Sequence, residues 1–347
     1  MLLDITYGVD FKKIDQMALE IGIASNDEKR IESAITYSLA IASNNGNTCV
    51  EKQNLIKYVQ ALLGTTTSEI ETALINLKAR AKIEIENVEE IEWVYLNSFY
   101  VCERNIAQRI SILNKSKNIK KIKDFDKKFK EEEKHIDITL SEKQKEAIKA
   151  VNDNNVCVIT GGPGTGKTTI IKFIIELYKK ENKKVVLCAP TGRAAKRMSE
   201  TTGEDATTIH RLLCLGKVEE SLGMERVDYA IEPIDADVLI IDEMSMVDVF
   251  LMNYILKGLY MGTKLVLVGD VNQLPSVGPG NVLKDIINSE TVETIELNEI
   301  FRQAAKSQII TNAHKVNNGE NFLEIPKEEL KEKLQDFYFL NEPTQNK

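Results

Sequence analysis

Residues 156–175 read VCVITGGPGTGKTTIIKFII, and no other stretch constrains the fold as tightly. Gly161, four intervening residues, then Gly166-Lys167-Thr168 form the full Walker A pattern, with an apolar run before it and a helix-forming run after it. That context predicts a strand, a glycine-rich turn and a helix, the arrangement in which backbone N–H groups cradle a phosphate. The cofactor-binding residues expected here are Gly162, Pro163, Gly164, Thr165, Gly166, Lys167, Thr168 and Thr169. Lys167 should reach the β- and γ-phosphates, and the Thr168 hydroxyl should bind Mg²⁺.

From about Leu140 the chain alternates short apolar strands with helices. Strands are predicted at Val156–Thr160, Val185–Ala189, Val238–Ile241, Leu265–Val268 and Glu293–Leu297. Apolar strands separated by helices imply a parallel sheet covered on both faces, with ligands beyond the strand C-terminal ends. The polar motifs fall at those ends. VLIIDEMSM places Asp242 to hold Mg²⁺ through water and Glu243 as the group that polarises an attacking water. KLVLVGDVNQLPSVGPG turns at Gly269-Asp270 and offers Gln273 to the γ-phosphate or the water; the alternative is that Asp270 and Gln273 are ordinary loop residues. LNEIFRQ supplies Arg302, either an arginine that meets the γ-phosphate or a surface residue. Lys167, Glu243, Gln273 and Arg302 are the catalytic candidates, and ATP with Mg²⁺ the cofactors.

The first 115 residues read as helical, over Phe11–Ile23, Glu28–Ser43, Glu51–Leu63, Thr67–Ala79 and Ser98–Leu113, with a β-hairpin made by AKIEIEN and IEWVYL. Such a unit is winged-helix-like and can bind DNA or simply pack. Asn114–Lys134, with nine lysines and five acids, reads as a linker or solvated helix rather than a core element. The expected division is therefore a helical domain over 1–115, a charged linker over 116–138, and an α/β nucleotide-binding region from 139.

Composition sets the outer limits. The chain has 347 residues, 43% hydrophobic and 28% charged, with a formal charge of −8. It has no apolar run of the roughly 18 residues a bilayer needs, and its N-terminus lacks a signal-peptide core. Five scattered cysteines without a C-x-x-C pair, and only three histidines, argue against zinc and for a reducing, cytoplasmic setting. The acidic total does not exclude nucleic acid, because charge is segregated. Residues 172–211 hold nine bases against five acids, and residues 228–299 thirteen acids against three bases. A solvated surface would explain the same segregation.

GGPGTGKTT, APTGRAAKRM, ATTIHRLL, IIDEMSM, GDVNQLPSVGPG and LNEIFRQ occur in this order, and the set resembles the RecD-like branch of superfamily 1 DNA helicases, the long kind that works without RecB and RecC partners. The match covers about Leu140 to Val316. The resemblance implies 5′-to-3′ ATP-dependent movement on single-stranded DNA, or on duplex with a 5′ tail, in repair or recombination, with no membrane and no obligate protein partner. It implies that Gln144 reads the adenine edge and that Pro190, Thr191, Gly192, Arg193, Thr208 and His210 hold the strand's backbone, with Arg197 and Arg211 as further phosphate partners. His210 also admits a buried structural role. Leu215–Tyr229 sits where the family carries a duplex-splitting hairpin, and Gly8-Val9-Asp10 resembles the turn of a helix-hairpin-helix, with Asp10 in place of the usual small residue. The resemblance also implies a first RecA-like ATPase domain over 139–297 and an incomplete second one over 298–347, since family members continue through a complete second motor domain. A chain ending at Lys347 is expected to be a fragment that binds nucleotide but does not unwind DNA alone. An RNA helicase and a nucleotide-dependent DNA-binding module without motor activity are the competing readings.

Overall fold

The computed structural model describes residues 11–117, 120–136, 139–215, 231–299, 307–320 and 336–337. The N-terminal region runs α1 (Phe11–Glu20), α2 (Glu28–Asn44), β1 (Cys49–Glu51), α3 (Lys52–Leu63), α4 (Thr67–Ala79), β2 (Ile83–Val88), β3 (Ile91–Leu96) and α5 (Asn97–Lys115). Helix α1 stops at Glu20, short of the expected Ile23, because Gly22 takes φ 94° and the Ile23 N–H turns back to the Ala18 carbonyl. Helix α4 has its expected bounds, set by a capping box between Thr66 and Glu69. The expected two-stranded hairpin is a three-stranded antiparallel sheet of order β1-β3-β2, because Cys49–Glu51 pairs with Trp93–Tyr95, which takes Glu51 out of the expected start of helix α3.

The chain continues through α6 (Phe125–Ile136), α7 (Glu142–Asp153), β4 (Val156–Gly161), α8 (Lys167–Lys180), β5 (Val185–Ala189), α9 (Gly192–Thr202), β6 (Ala206–Thr208), α10 (Ile209–Leu212), β7 (Val238–Ile241), α11 (Val249–Gly258), β8 (Lys264–Gly269), α12 (Val282–Asn288), β9 (Glu293–Leu297) and α13 (Gln308–Asn317). The strands from β4 onward form one six-stranded parallel sheet of order β6-β5-β7-β8-β4-β9. Every residue of β4, β7 and β8 is buried, as their uninterrupted apolar runs require. The short edge strand β6 escaped the sequence reading, since ATT is too brief to carry a period.

Helices cover both faces of this sheet. Ile148, Ile171, Ile174 and Phe173 of α7 and α8 pack with Ile159, Ile240 and Val266 on one face. On the other, Val249, Met252 and Ile255 of α11 pack against Leu239 and Leu265 and continue without a break into the N-terminal core of Ile35, Val59, Leu74 and Val94. Phe99 of α5 and Phe250 of α11 meet at a ring separation of 4.9 Å, and Asn155, just before β4, donates to the carbonyls of Leu113 and Ser116. The N-terminal region is therefore an outer layer of the six-stranded sheet.

The lysine-rich segment is not merely solvated. Ile122 and Phe129 are buried in the core of the parallel sheet, Phe129 lies 5.0 Å from Phe173, and the Ile122 N–H donates to Asn152. Lysines ring this contact: Lys120 pairs with Asp237, Lys128 with Glu181, and Lys180 with Glu132. Ile122, Phe125, Phe129 and Ile136 dock this segment while its other faces are charged, and averaging over the segment hides them.

Candidate active site

The strand order lines the motifs up along one edge of the sheet. Ends of β6 and β5 carry Thr208-Ile209-His210 and Pro190–Arg193, β7 ends at Asp242-Glu243, β8 at Asp270, and β4 enters the glycine loop. Parallel pairing is what makes this possible, because it brings every C-terminal end to the same side.

In the loop, Gly164 and Gly166 take φ 79° and 84°, conformations a side chain would strain. At Gly161 a Cβ would lie 2.8 Å from the Leu297 carbonyl oxygen, so the loop and the end of β9 can touch only through glycine. Thr165 is buried and its hydroxyl donates to the Gly162 carbonyl at 2.9 Å. Lys167 Nζ donates to the carbonyls of Gly161 at 2.5 Å and Gly162 at 2.9 Å, which puts its ammonium in the mouth of the loop. Burial lowers the Lys167 pKa, while the charges of Asp270, Asp242 and Glu243 act the other way. Thr168 and Thr169 open α8 beside it.

Asp242 is fixed between strands, its N–H donating to the Cys188 carbonyl and its Oδ1 accepting the Glu243 N–H at 2.9 Å. Burial raises the pKa of Asp242, and that of Glu243 with help from the Asp242 charge. Asp270, only 3% exposed, accepts the Asn272 N–H and, at 3.3 Å, the Gln273 side-chain amide. Three carboxylates thus approach one half-buried lysine, and none has an ion-pair partner among the described residues. Such a set calls for further positive charge. Mg²⁺ fits it, since the ion binds through one or two protein oxygens plus phosphate and water, and Thr168 and Asp242 would hold it. Asp270 was left open as a loop residue in the sequence; its burial and its hold on Gln273 make it part of the site.

Several expected residues have more local work. Thr191 and Thr208 are N-caps, accepting the N–H groups of Ala194 and Arg211, so their hydroxyls fix the starts of α9 and α10. Pro190 is partly exposed, and Gly192, Arg193 and His210 are exposed, which removes the buried structural reading of His210. Arg197 adds its positive charge to the field at Lys167, Asp242 and Glu243, so it belongs with the nucleotide end of the edge. Gln144 is 1% exposed: its side chain closes a capping box with Ser141 and its Nε2 donates to the Thr165 carbonyl at 3.5 Å, tying α7 to the glycine loop. His314 of α13, which no motif signalled, places Nε2 3.2 Å from the Pro163 carbonyl oxygen and covers Gly162. Arg302, the Gly8–Asp10 turn and residues 216–229 of the expected splitting hairpin lie outside the described residues.

A glycine loop between β4 and α8, flanked by acid-tipped β7 and β8 in a parallel sheet, defines a P-loop nucleotide-binding protein. The AAA domain family matches residues 139–335, and the ATP-dependent RecD2 DNA helicase HHH domain matches residues 1–49. The chain belongs to the AAA domain family. It is 31% identical over 330 residues to the ATP-dependent RecD2 DNA helicase of Deinococcus radiodurans, covering 90% of this chain and 44% of that protein. With the RecBCD enzyme subunit RecD of Buchnera aphidicola it shares 39% identity over 163 residues, 41% of this chain and 26% of that one. Among solved structures, Pif1 helicase from Candida albicans aligns over 55% of this chain and 46% of its own, at 29% identity and a TM-score of 0.39. The chain thus spans less than half the length of the curated relatives it matches. Among the described residues no helix is long and apolar enough to cross a membrane.

Proposed function

We propose that this chain is the ATP-hydrolysing motor region of a DNA helicase that moves 5′ to 3′ on single-stranded DNA in repair or recombination. In this reading residues 139–297 are the first motor domain and 298–347 the opening of a second. The observation that carries it is the single sheet edge on which Lys167, Asp242, Glu243 and Asp270 stand beside the exposed Gly192, Arg193 and His210.

The chemistry follows from the charges. A γ-phosphate entering the loop offers Lys167 oxygens more negative than the Gly161 and Gly162 carbonyls it now binds. Thr168 and Asp242 would hold Mg²⁺, which would supply charge neutralisation to the phosphates. Glu243 orients a water and accepts its proton as the oxygen attacks phosphorus; the bond to the bridging oxygen breaks and ADP leaves with the electron pair. Gln273, anchored on Asp270, is the second group that can hold that water. The strand would lie across the N-termini of α9 and α10, where small residues, backbone N–H groups and Arg193 grip phosphates without reading bases.

The test is ATP hydrolysis with and without single-stranded DNA and RNA oligonucleotides. DNA should stimulate turnover, Lys167→Ala should abolish it, and ATP-dependent strand separation by this chain alone should be absent. Equal stimulation by RNA would reassign the substrate. ATP binding that alters DNA affinity without turnover would replace the motor with a nucleotide-controlled binding module.

A further inference from the structure

The packing of helix α13 inverts that of an ordinary amphipathic helix. Its one buried residue is polar: Asn312 is 2% exposed, and neither its amide nitrogen nor its carbonyl oxygen has a hydrogen-bond partner. One turn earlier on the same face, the Gln308 side-chain carbonyl is likewise shut off from solvent and unpaired. Ile309 and Val316, which a helix docked by its apolar stripe would bury, are 53% and 51% exposed. Buried polar atoms without partners forfeit their hydrogen bonds to water, so this face weighs against the seat that α13 occupies. Polar contacts near the two ends of the helix tether it. At the start, Ser307 Oγ accepts the Ile310 N–H and Asp336 Oδ1 accepts the Gln308 N–H at 2.8 Å. Towards the other end, His314 rests on the glycine loop.

That second contact has a direction. His314 Nε2 lies 3.2 Å from the Pro163 carbonyl oxygen, which can only accept, so Nε2 carries the proton and donates it. The ring lies on Gly162, where a Cβ would come within 2.6 Å of Cε1. Lys167 Nζ donates to the carbonyl of the same Gly162 at 2.9 Å. The imidazole and the ammonium therefore flank one residue of the loop, and the ammonium is the group that meets the β- and γ-phosphates. We infer that His314 is a contact for the terminal phosphate of a nucleoside triphosphate, and that through it α13 distinguishes triphosphate from diphosphate. This rests on the nucleotide reading proposed above. A hydrogen bond to an ionised phosphate oxygen is about twice as strong as one to a neutral carbonyl, so the Nε2–H exchanges Pro163 for a γ-oxygen. Helix α13, whose polar face gains little by staying, moves with it. A diphosphate ends at the β-phosphate, within reach of the loop's own N–H groups, and leaves His314 on Pro163. His314 makes and breaks no bond in this scheme; it positions α13 by the charge it meets.

The test titrates the full chain with Mg²⁺ and either ADP or the non-hydrolysable triphosphate AMP-PNP, each competing against a fluorescent ADP. His314→Ala should bind AMP-PNP about tenfold more weakly than wild type and ADP equally well. His314→Gln, which keeps an N–H at similar reach, should recover most of that loss. The chain has only three histidines, His135, His210 and His314, so ¹³C-histidine NMR spectra report the ring itself. The signal missing from His314→Ala should shift with AMP-PNP and stay in place with ADP. Amide hydrogen exchange across residues 308–317 should change with AMP-PNP alone. Equal loss of both nucleotides in His314→Ala, without an AMP-PNP-specific shift, would make the ring a prop for the loop and overturn the inference. Wild-type AMP-PNP affinity in His314→Ala would overturn it as well, while leaving the nucleotide site standing. A wild-type chain that binds neither nucleotide would remove the nucleotide reading itself, and the inference with it.

Discussion

Glu243 holds φ 55° and ψ 42°, a left-handed backbone that a side chain adopts at a cost of roughly 1–2 kcal/mol. The turn there ends β7 abruptly, and it sets Glu243 directly after the Asp242 carboxylate rather than on the opposite face, as a continuing strand would. Glu243→Gln should keep ATP affinity and lower kcat by about 10²–10⁴. Glu243→Gly should lose the same activity yet unfold at higher denaturant, by up to about 1 kcal/mol, because it removes the strain. A glycine variant no more stable than the glutamine variant would show that the turn is unstrained. Lys264 is a second buried charge, 1% exposed, whose ammonium donates to the carbonyls of Val151, Asn152 and Asn154 and so caps α7. Burial pushes its pKa from 10.5 down to about 8. A base with a lowered folded pKa binds fewer protons folded than unfolded between those values, so its contribution to stability rises with pH from about 8 to 10.5. Chemical denaturation across that window should show this rise in wild type and not in Lys264→Met. The variant should also lose about 1–3 kcal/mol near pH 7, from three carbonyls left without a donor. Parallel pH curves for the two proteins would put the titration elsewhere.

At the scale of elements, legibility followed the strength of the local signal. Strands β4, β5, β7 and β9 and helix α4 stand where their periodicity and caps put them, because buried parallel strands and capping boxes are written in contiguous residues. Strands β1 and β6 were missed because three residues have no period, and each exists only by pairing with a neighbour distant in sequence or set by the fold. Helix α6 was misjudged for a different reason: nine lysines over the segment outweigh Phe129 in any average, yet Phe129 is the residue that meets Phe173. Phe129→Ala should therefore cost about 3 kcal/mol in equilibrium unfolding. A loss under about 1 kcal/mol would make α6 a peripheral helix held by its surface ion pairs.

For the molecule as a whole, the loop that carries Gln273 does not end within the ATPase domain. Its far end, Gly280, donates its N–H to the Gly46 carbonyl of the N-terminal region at 2.9 Å, while the Val249 N–H donates to the Pro279 carbonyl. Gly280 has φ 93°, and a Cβ there would lie 2.3 Å from Val249 Cγ2. Gly280→Ala should lower stability by about 2 kcal/mol and reduce ATP turnover severalfold by shifting Gln273. Gly46→Ala, at φ 88° with nothing within 4 Å of the added methyl, should cost only about 1 kcal/mol and leave turnover near wild type. Equal turnover in both variants would show that the loop moves independently of the domain it touches. By itself the sequence determined the glycine loop, the acid-tipped strands and the family, since each is a contiguous run whose residue types are dictated by local geometry or by the charge of a phosphate. Only the tertiary structure decided that Asp270 is buried and holds Gln273 beside the glycine loop's acids, that Thr191 and Thr208 spend their hydroxyls on caps, and that the N-terminal region is an outer layer of the parallel sheet. Those facts depend on which side chains meet across the sheet and on which polar groups are left unpaired once they have met, and chain order does not record either.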